Sequence, residues 1–132
     1  MDIIVANLNG KVPVTALRLN GDFDSSSYKD FDQVAQNELD TGAQYFLVDF
    51  SNVRYMSSAG IRSLNALYKQ LHAGLSEEEK IAARKGIRGG SYAAPHLKLV
   101  NPSDKVLEVL KMTGLEMYLG IYDNEQEALD AF

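Results

Sequence analysis

Residues 45–50, YFLVDF, constrain the fold of this chain more than any other stretch of its sequence. The run is apolar at all but one position, which is typical of a strand buried on both faces. A strand of this kind lies near the centre of a sheet, and helices must pack against that sheet. The run therefore predicts an α/β fold with this strand in its middle.

Shorter or alternating apolar runs predict four more strands, at residues 3–8, 12–19, 96–100 and 119–122. The first two are separated by Asn9-Gly10, a dipeptide that tolerates the positive φ angles of a tight hairpin turn. Pro13 lies near the start of the second strand and favours an edge or a strand end. We therefore expect an antiparallel hairpin at the beginning of the chain.

Apolar residues at helical spacing predict helices between the later strands. The first follows Ser25, Ser26 and Ser27, and the pair Ser27 and Asp30 is close to a capping box. The second follows residues 51–57, and the remaining two open at residues 101–103 and 123–124. The order is ββαβα, an insert, then βαβα. It predicts a mixed sheet of about four or five strands, largely parallel after the hairpin, with about four helices packed against it.

Residues 73–95 interrupt this pattern and are interpreted as an insert. Ser76 and Glu79 could cap a short helix there, and the rest, with Gly86, Gly89 and Gly90, is predicted to be a flexible loop. These glycines lack the Gly-Lys-Ser/Thr element of a phosphate-binding loop. The insert also carries a group of basic residues, Lys80, Arg84, Lys85 and Arg88. This group either forms a solvated face or makes a contact, with a partner or with an anionic membrane surface.

Composition narrows the classes of function. A length of 132 residues suits one domain, and a net charge of −5 argues against a nucleic-acid binder. The absence of cysteine excludes disulfides and thiolate metal sites and fits a cytoplasmic protein. His72 and His96 are too isolated to suggest a metal site. No signal peptide is visible, and no apolar run approaches the roughly 20 residues of a membrane helix, so stable membrane insertion is not expected.

Residues 47–61, LVDFSNVRYMSSAGI, combine a buried strand, a loop and a helix that starts at a serine. Ser58 is predicted at or near the N-terminus of this helix, where backbone N–H groups have no intrahelical partner. It either only caps the helix or accepts a phosphate, which the free N–H groups and the helix dipole would stabilise. A hydrolase is not favoured, because Ser58 has neither a Gly-x-Ser-x-Gly elbow nor an evident histidine partner.

This stretch resembles the STAS family, which bacterial anti-sigma-factor antagonists share with the cytoplasmic tails of sulfate transporters. The family pattern is a strand ending in Asp-x-Ser, a Val, then an apolar residue before Asp-Ser-x-Gly, and it is matched here by Asp49, Ser51, Val53, Met56, Ser58 and Gly60. Gly21-x-Phe23-Asp24 is similar to the earlier Gly-x-Leu-Asp of the family. The resemblance covers nearly all of residues 1–132 and implies a single STAS-like domain with an insert at about 73–95.

The resemblance also implies a function, that of a non-catalytic binding module without a cofactor. Antagonists of this family sequester an anti-sigma factor that is itself a serine kinase. Phosphorylation of the serine in Asp-Ser-x-Gly ends binding until a serine phosphatase removes the phosphate. The resemblance places the phosphoacceptor at Ser58, leaves a homodimer open, and implies a partner surface at Asp24, Ser57, Ser58, Ala59, Gly60 and Arg62.

One departure from the family pattern leaves alternatives open. Ser57 stands where the family has an acidic residue, so kinase recognition could be weaker, or Ser57 could be modified instead of Ser58. The domain could also be a scaffold or sensor subunit of a signalling assembly or lipid-transport complex that binds its partner constitutively. Asp24 is either a partner contact or a solvated cap before the first helix, and Asp49 is interpreted as a cap for loop amides.

Overall fold

A computed structural model describes residues 1–89 and 93–132 of the chain, and within these ranges five strands form one sheet. The strands are, in their order across the sheet, β1 Asp2–Asn9, β2 Pro13–Asn20, β3 Phe46–Asn52, β4 Leu97–Val100 and β5 Gly120–Tyr122. β1 and β2 are antiparallel, and all other neighbours are parallel. The predicted mixed sheet is thus confirmed, with β3 at its centre.

Five helices accompany the sheet in the described part of the chain. They are α1 Tyr28–Asp40, α2 Ser58–Ala73, α3 Glu77–Gly89, α4 Asp104–Met112 and α5 Glu125–Ala131, and a 3-10 turn at Leu115–Met117 follows α4. Helices α1, α2, α4 and α5 correspond to the four that the sequence predicts.

Two apolar clusters lie on the two faces of the sheet. On one face α1, α2 and α4 pack on side chains that include Val48 and Phe50 of β3. On the other face the short α5 packs on a smaller cluster that includes Leu47. Because β3 contributes side chains to both clusters, its first five residues are apolar except for Asp49.

The insert contains more helix than the sequence predicts. The prediction of a loop after a short helix is wrong, because α3 runs for 13 residues through Gly86 to Gly89; Gly90 lies outside the described residues. Ser76 and Glu79 form the reciprocal capping contacts, since Ser76 Oγ accepts from Glu79 N at 3.2 Å and Glu79 Oε1 accepts from Ser76 N at 3.1 Å. Ala83 is buried, and this packing offsets the cost of about 1 kcal/mol for a glycine within a helix.

The insert is joined to the sheet through His96, which precedes β4. Its Nε2 lies 3.1 Å from Glu79 Oε2, its Nδ1 lies 2.7 Å from the carbonyl oxygen of Gln44, and its ring stacks on Tyr45. The hydrogen bonds from the Ser76 amide and from His96 lower the pKa of the Glu79 carboxyl. The insert helix therefore begins at a fixed position, at the end of the sheet where β3 and β4 start.

Candidate functional site

Two loops at the carboxyl ends of β2 and β3 form the candidate site. Gly21 N donates to Asn52 O at 3.1 Å, Phe23 N to Tyr55 O at 2.9 Å and Ser57 N to Phe23 O at 3.0 Å. These bonds continue the parallel pairing of the two strands beyond their ends. They place Asp24, which follows Phe23, beside the start of α2.

The first turn of α2 crosses the first loop at very short range. A Cβ atom on Gly60 would lie 2.6 Å from the carbonyl oxygen of Phe23 and 2.9 Å from Met56 Cγ. Phe23 is itself fully buried, with its ring centroid 4.8 Å from that of Phe31. Close packing therefore requires glycine at position 60, since a larger residue would push the two loops of the site apart.

Ser57, and not Ser58, caps α2. Ser57 has an extended backbone, its Oγ accepts from Ala59 N at 3.2 Å, and its carbonyl oxygen accepts from Ile61 N. Ser58 is the first residue of the helix and is exposed. The interpretation of Ser58 as the helix cap is wrong, because the cap falls one residue earlier.

Ser57→Ala is expected to lower the free energy of unfolding by about 1 kcal/mol, the usual cost of a lost N-cap. Ser58→Ala is the matched control and should change stability by only a few tenths of a kcal/mol, because an exposed first-turn alanine is a good helix former. Urea unfolding of the three proteins measures both values. Equal stability losses in the two variants would contradict the assignment of the cap to Ser57.

The predicted capping box at Ser27 is also wrong. The Ser27 hydroxyl donates to the carbonyl oxygen of Asp22 at 2.6 Å and accepts from Asp24 N at 3.0 Å, and it makes no cap hydrogen bond to α1. Ser27 is buried by these contacts. Ser27 therefore holds together the loop that follows β2, by bonding Asp22 and Asp24 of the same loop, and does not cap α1.

Asp24 is partly exposed and ionised in this loop. Its Oδ1 accepts from the amide of Ser26 at 2.9 Å and from the Ser26 hydroxyl at 2.6 Å, and these bonds lower the pKa of the carboxyl. The carboxylate thus stabilises the turn that leads into α1, although it accepts no hydrogen bond from an N–H group of α1 and so is not a cap of that helix in the strict sense. Its second predicted role, as a partner contact, stays a prediction.

Asp49 has the structural role that the sequence predicts. Its Oδ1 accepts from the amide of Ser51 at 2.8 Å and also from the Ser51 hydroxyl. Asn101, whose φ of 54° is left-handed, donates from Nδ2 to that same hydroxyl at 3.2 Å. The Asp-x-Ser part of the motif therefore links the end of β3 to the loop after β4.

The predicted site residues divide into an exposed and a buried group. Asp24, Ser57, Ser58 and Arg62 reach the surface, whereas Ala59 and Gly60 are buried beneath it. The sequence analysis missed Arg54 and Tyr55, which lie in the loop before Ser57. The Arg54 side chain is 89% exposed with its Nε 3.8 Å from Asp22 Oδ1, and Tyr55 is 52% exposed. Their place between the two halves of the motif was a signal for including them.

No group of three or more His, Asp or Glu side chains in ranges 1–89 and 93–132 is arranged to hold a metal ion. In the same ranges, no helix is both long enough and apolar enough to span a bilayer.

The sheet order, the N-terminal hairpin and three helices on one face define an α/β domain with the fold of SpoIIAA, an anti-sigma factor antagonist of known structure. A family model described as the STAS domain matches residues 5–75, more than half of the chain, and the chain belongs to this family. The predicted resemblance is thereby confirmed. A search of curated proteins finds no match to this sequence.

Several solved structures share the fold. A candidate anti-sigma factor antagonist from Thermotoga maritima superposes with a TM-score of 0.74 at 20% identity, covering 97% of this chain and 92% of its own. An anti-sigma factor antagonist from Mycobacterium paratuberculosis superposes with a TM-score of 0.74 at 18% identity, and the match covers 98% of this chain and 92% of the antagonist. The antagonist SpoIIAA in its unphosphorylated form gives 0.71 at 18% identity, with 98% and 94% covered. At these identities the likeness establishes the fold.

Proposed function

We propose that this protein is a cytoplasmic anti-sigma-factor antagonist whose binding is switched off by phosphorylation of Ser58. It sequesters an anti-sigma factor that is itself a serine kinase, and a serine phosphatase restores binding. The observation that carries the proposal is the exposed hydroxyl of Ser58 at the first position of α2, beside the loop of Asp24. The fold shared with proteins described as anti-sigma factor antagonists supports it.

The start of α2 can accept a phosphate without unfolding. The first turn of α2 carries no acidic residue, and the positive end of the helix dipole lies there. A phosphate on Ser58 would meet backbone N–H groups that have no intrahelical partner. Of the two serines, Ser57 is the less suitable site for phosphorylation, because its hydroxyl oxygen already accepts a hydrogen bond from Ala59 N and its side chain is less exposed than that of Ser58.

The effect of the phosphate therefore falls on the partner. Phosphorylation adds a charge of about −1.5 to −2 at neutral pH, at the exposed start of α2. A partner surface that fits the neutral hydroxyl would have to desolvate this charge on docking. Since about 1.4 kcal/mol corresponds to a tenfold change in affinity, a modest penalty is enough to release the partner.

Affinity capture and phosphopeptide mapping from the native host test the proposal. We expect one phosphate that disappears in Ser58→Ala and persists in Ser57→Ala. We also expect Ser58→Ala to capture a kinase-like protein that Ser58→Asp does not. Ser76→Asp is the matched control, because Ser76 is also an exposed serine at the N-terminal end of a helix but lies beyond the other end of α2; it should capture as well as the wild type.

Two results would count against the switch. A phosphate lost only in Ser57→Ala would move the acceptor by one residue. A partner captured equally by Ser58→Ala and Ser58→Asp, with no phosphate under any growth condition, would favour the constitutive scaffold or sensor subunit. Transporter subunits among the captured proteins would then point to a lipid-transport complex.

A further inference from the structure

β1 forms an edge of the sheet that lacks the usual protection against pairing with another chain. It continues in unbroken antiparallel register with β2 from Asp2 to Asn9, so it contains no bulge, and no proline interrupts it. Residues 3–10 carry no charge. In the described part of the chain no strand pairs with its outer side, and the opposite edge, β5, has only three residues. A long, unprotected edge is a ready template for strand pairing.

Two apolar side chains flank this open edge. Ile4 is 60% exposed and Val5 is 39% exposed. Because successive side chains of a strand point to opposite faces, each face of the sheet has one of them at its rim. A strand added at this edge would gain backbone hydrogen bonds and would cover an apolar side chain on both faces.

We propose that β1 pairs in antiparallel fashion with β1 of a second copy of this chain, joining two sheets across a two-fold axis. Such a contact is self-complementary, since each copy presents the same strand to the other. Charge also favours this edge. Two copies of net charge −5 repel each other, and the exposed side of α1 carries Asp30, Asp32 and Asp40, whereas residues 3–10 are uncharged.

The proposed dimer leaves the site at Ser58 open. β1 is the outermost strand, two places from β3, and Ser58 follows the carboxyl end of β3. Both copies could therefore bind a partner at the same time. A dimeric partner would then be held at two points, which raises its effective affinity without any new contact.

Sedimentation equilibrium of the purified full chain over a wide concentration range tests the dimer. We expect a reversible monomer–dimer equilibrium, and we expect Ile4→Lys to weaken it by about tenfold or more, because the lysine places like charges near the axis. Val5→Lys tests the other face of the sheet in the same way. The matched control is Ile81→Lys on α3, an isoleucine with 43% exposure, which should dimerise as the wild type does.

Amide hydrogen exchange locates the contact directly. The outward-facing amides of β1 should exchange slowly at concentrations where the dimer forms and quickly where it dissociates. A monomer at every concentration, or a dimer that both lysine variants at positions 4 and 5 leave intact, overturns the proposal. Protection of β1 that appears only when an extended segment of another protein is captured also overturns it, because the occupant is then not a second copy.

Discussion

Gly60→Ala is expected to destabilise the domain by about 1–3 kcal/mol, the usual cost of overpacking a closed contact. Helix propensity alone predicts a gain of about 1 kcal/mol for alanine over glycine. The clash outweighs this gain because the nearest atom, the Phe23 carbonyl oxygen at 2.6 Å, belongs to the backbone. That oxygen also accepts the hydrogen bond from Ser57 N, so it cannot move away without losing the contact between the two loops.

Urea unfolding with Gly74→Ala as the control measures this effect. Gly74 has a φ of −82°, and the nearest atom to a Cβ there is Leu71 O at 3.5 Å, so alanine fits. We expect this control to be as stable as the wild type or slightly more stable. Partner capture should fall in Gly60→Ala, because the loop of Asp24 moves relative to Ser58. A Gly60→Ala protein as stable as the control would show that this close approach is easily relaxed.

Lys98→Met is expected to stabilise the domain by about 1–2 kcal/mol at neutral pH, because methionine keeps the apolar stem and removes a buried charge. Lys98 is only 4% exposed, and its Nζ has a single hydrogen bond among the described residues, at 3.4 Å to Ala94 O. The rings of Phe132 and Tyr122, with centroids 5.2 and 5.8 Å away, contribute about 0.5–2 kcal/mol. This contribution is smaller than the several kcal/mol that it costs to take an ammonium ion out of water.

The advantage of Lys98→Met should depend on pH in a defined direction. Burial lowers the pKa of Lys98 from its ordinary value of 10.5, so the unfolded chain binds more protons between the two values. The stability of the wild type therefore rises with pH through that interval. The advantage of methionine is greatest below the folded pKa and vanishes above pH 10.5.

The control for this pH dependence is Lys105→Met, which removes the same charge from an exposed position on α4. It should leave stability nearly unchanged at every pH. Thermal unfolding of the three proteins at neutral and alkaline pH provides the comparison. A loss of stability in Lys98→Met at neutral pH would show that the ring and carbonyl contacts outweigh the cost of burial.

The strands were predictable because the pattern of apolar side chains along each strand follows which of its faces are buried. The run at residues 45–50 is apolar because β3 contributes to both clusters. Gly10 does lie in the turn of the hairpin, but Asn9 belongs to β1, and neither residue has the positive φ expected of them, because the connection is three residues long. α3 was not predictable to its full length, because Gly86 and Gly89 usually end helices and the buried contact of Ala83 is invisible in the sequence. The depth of Lys98 was equally hidden, since a lysine in a short strand ordinarily faces solvent.

The motif of the site was predictable from the sequence, but the separate structural roles of Ser57, Ser58 and Gly60 within it were not. The pattern placed a serine at the start of α2, yet two adjacent serines have nearly the same capping preference, and only the backbone geometry distinguishes them. The role of Gly60 depends on the approach of Phe23, which is 37 positions earlier in the chain. Contacts between segments so distant in sequence leave no local pattern.

The unequal cover of the two faces of the sheet affects how the chain can fold while it is being synthesised. The face that carries Val14, Ala16, Leu47 and Val100 is covered mainly by α5, the last element in the order. The other face can be covered as α1, α2 and α4 leave the ribosome. A nascent chain that has formed its sheet would therefore keep one apolar face open to chaperones until residues 125–131 have emerged.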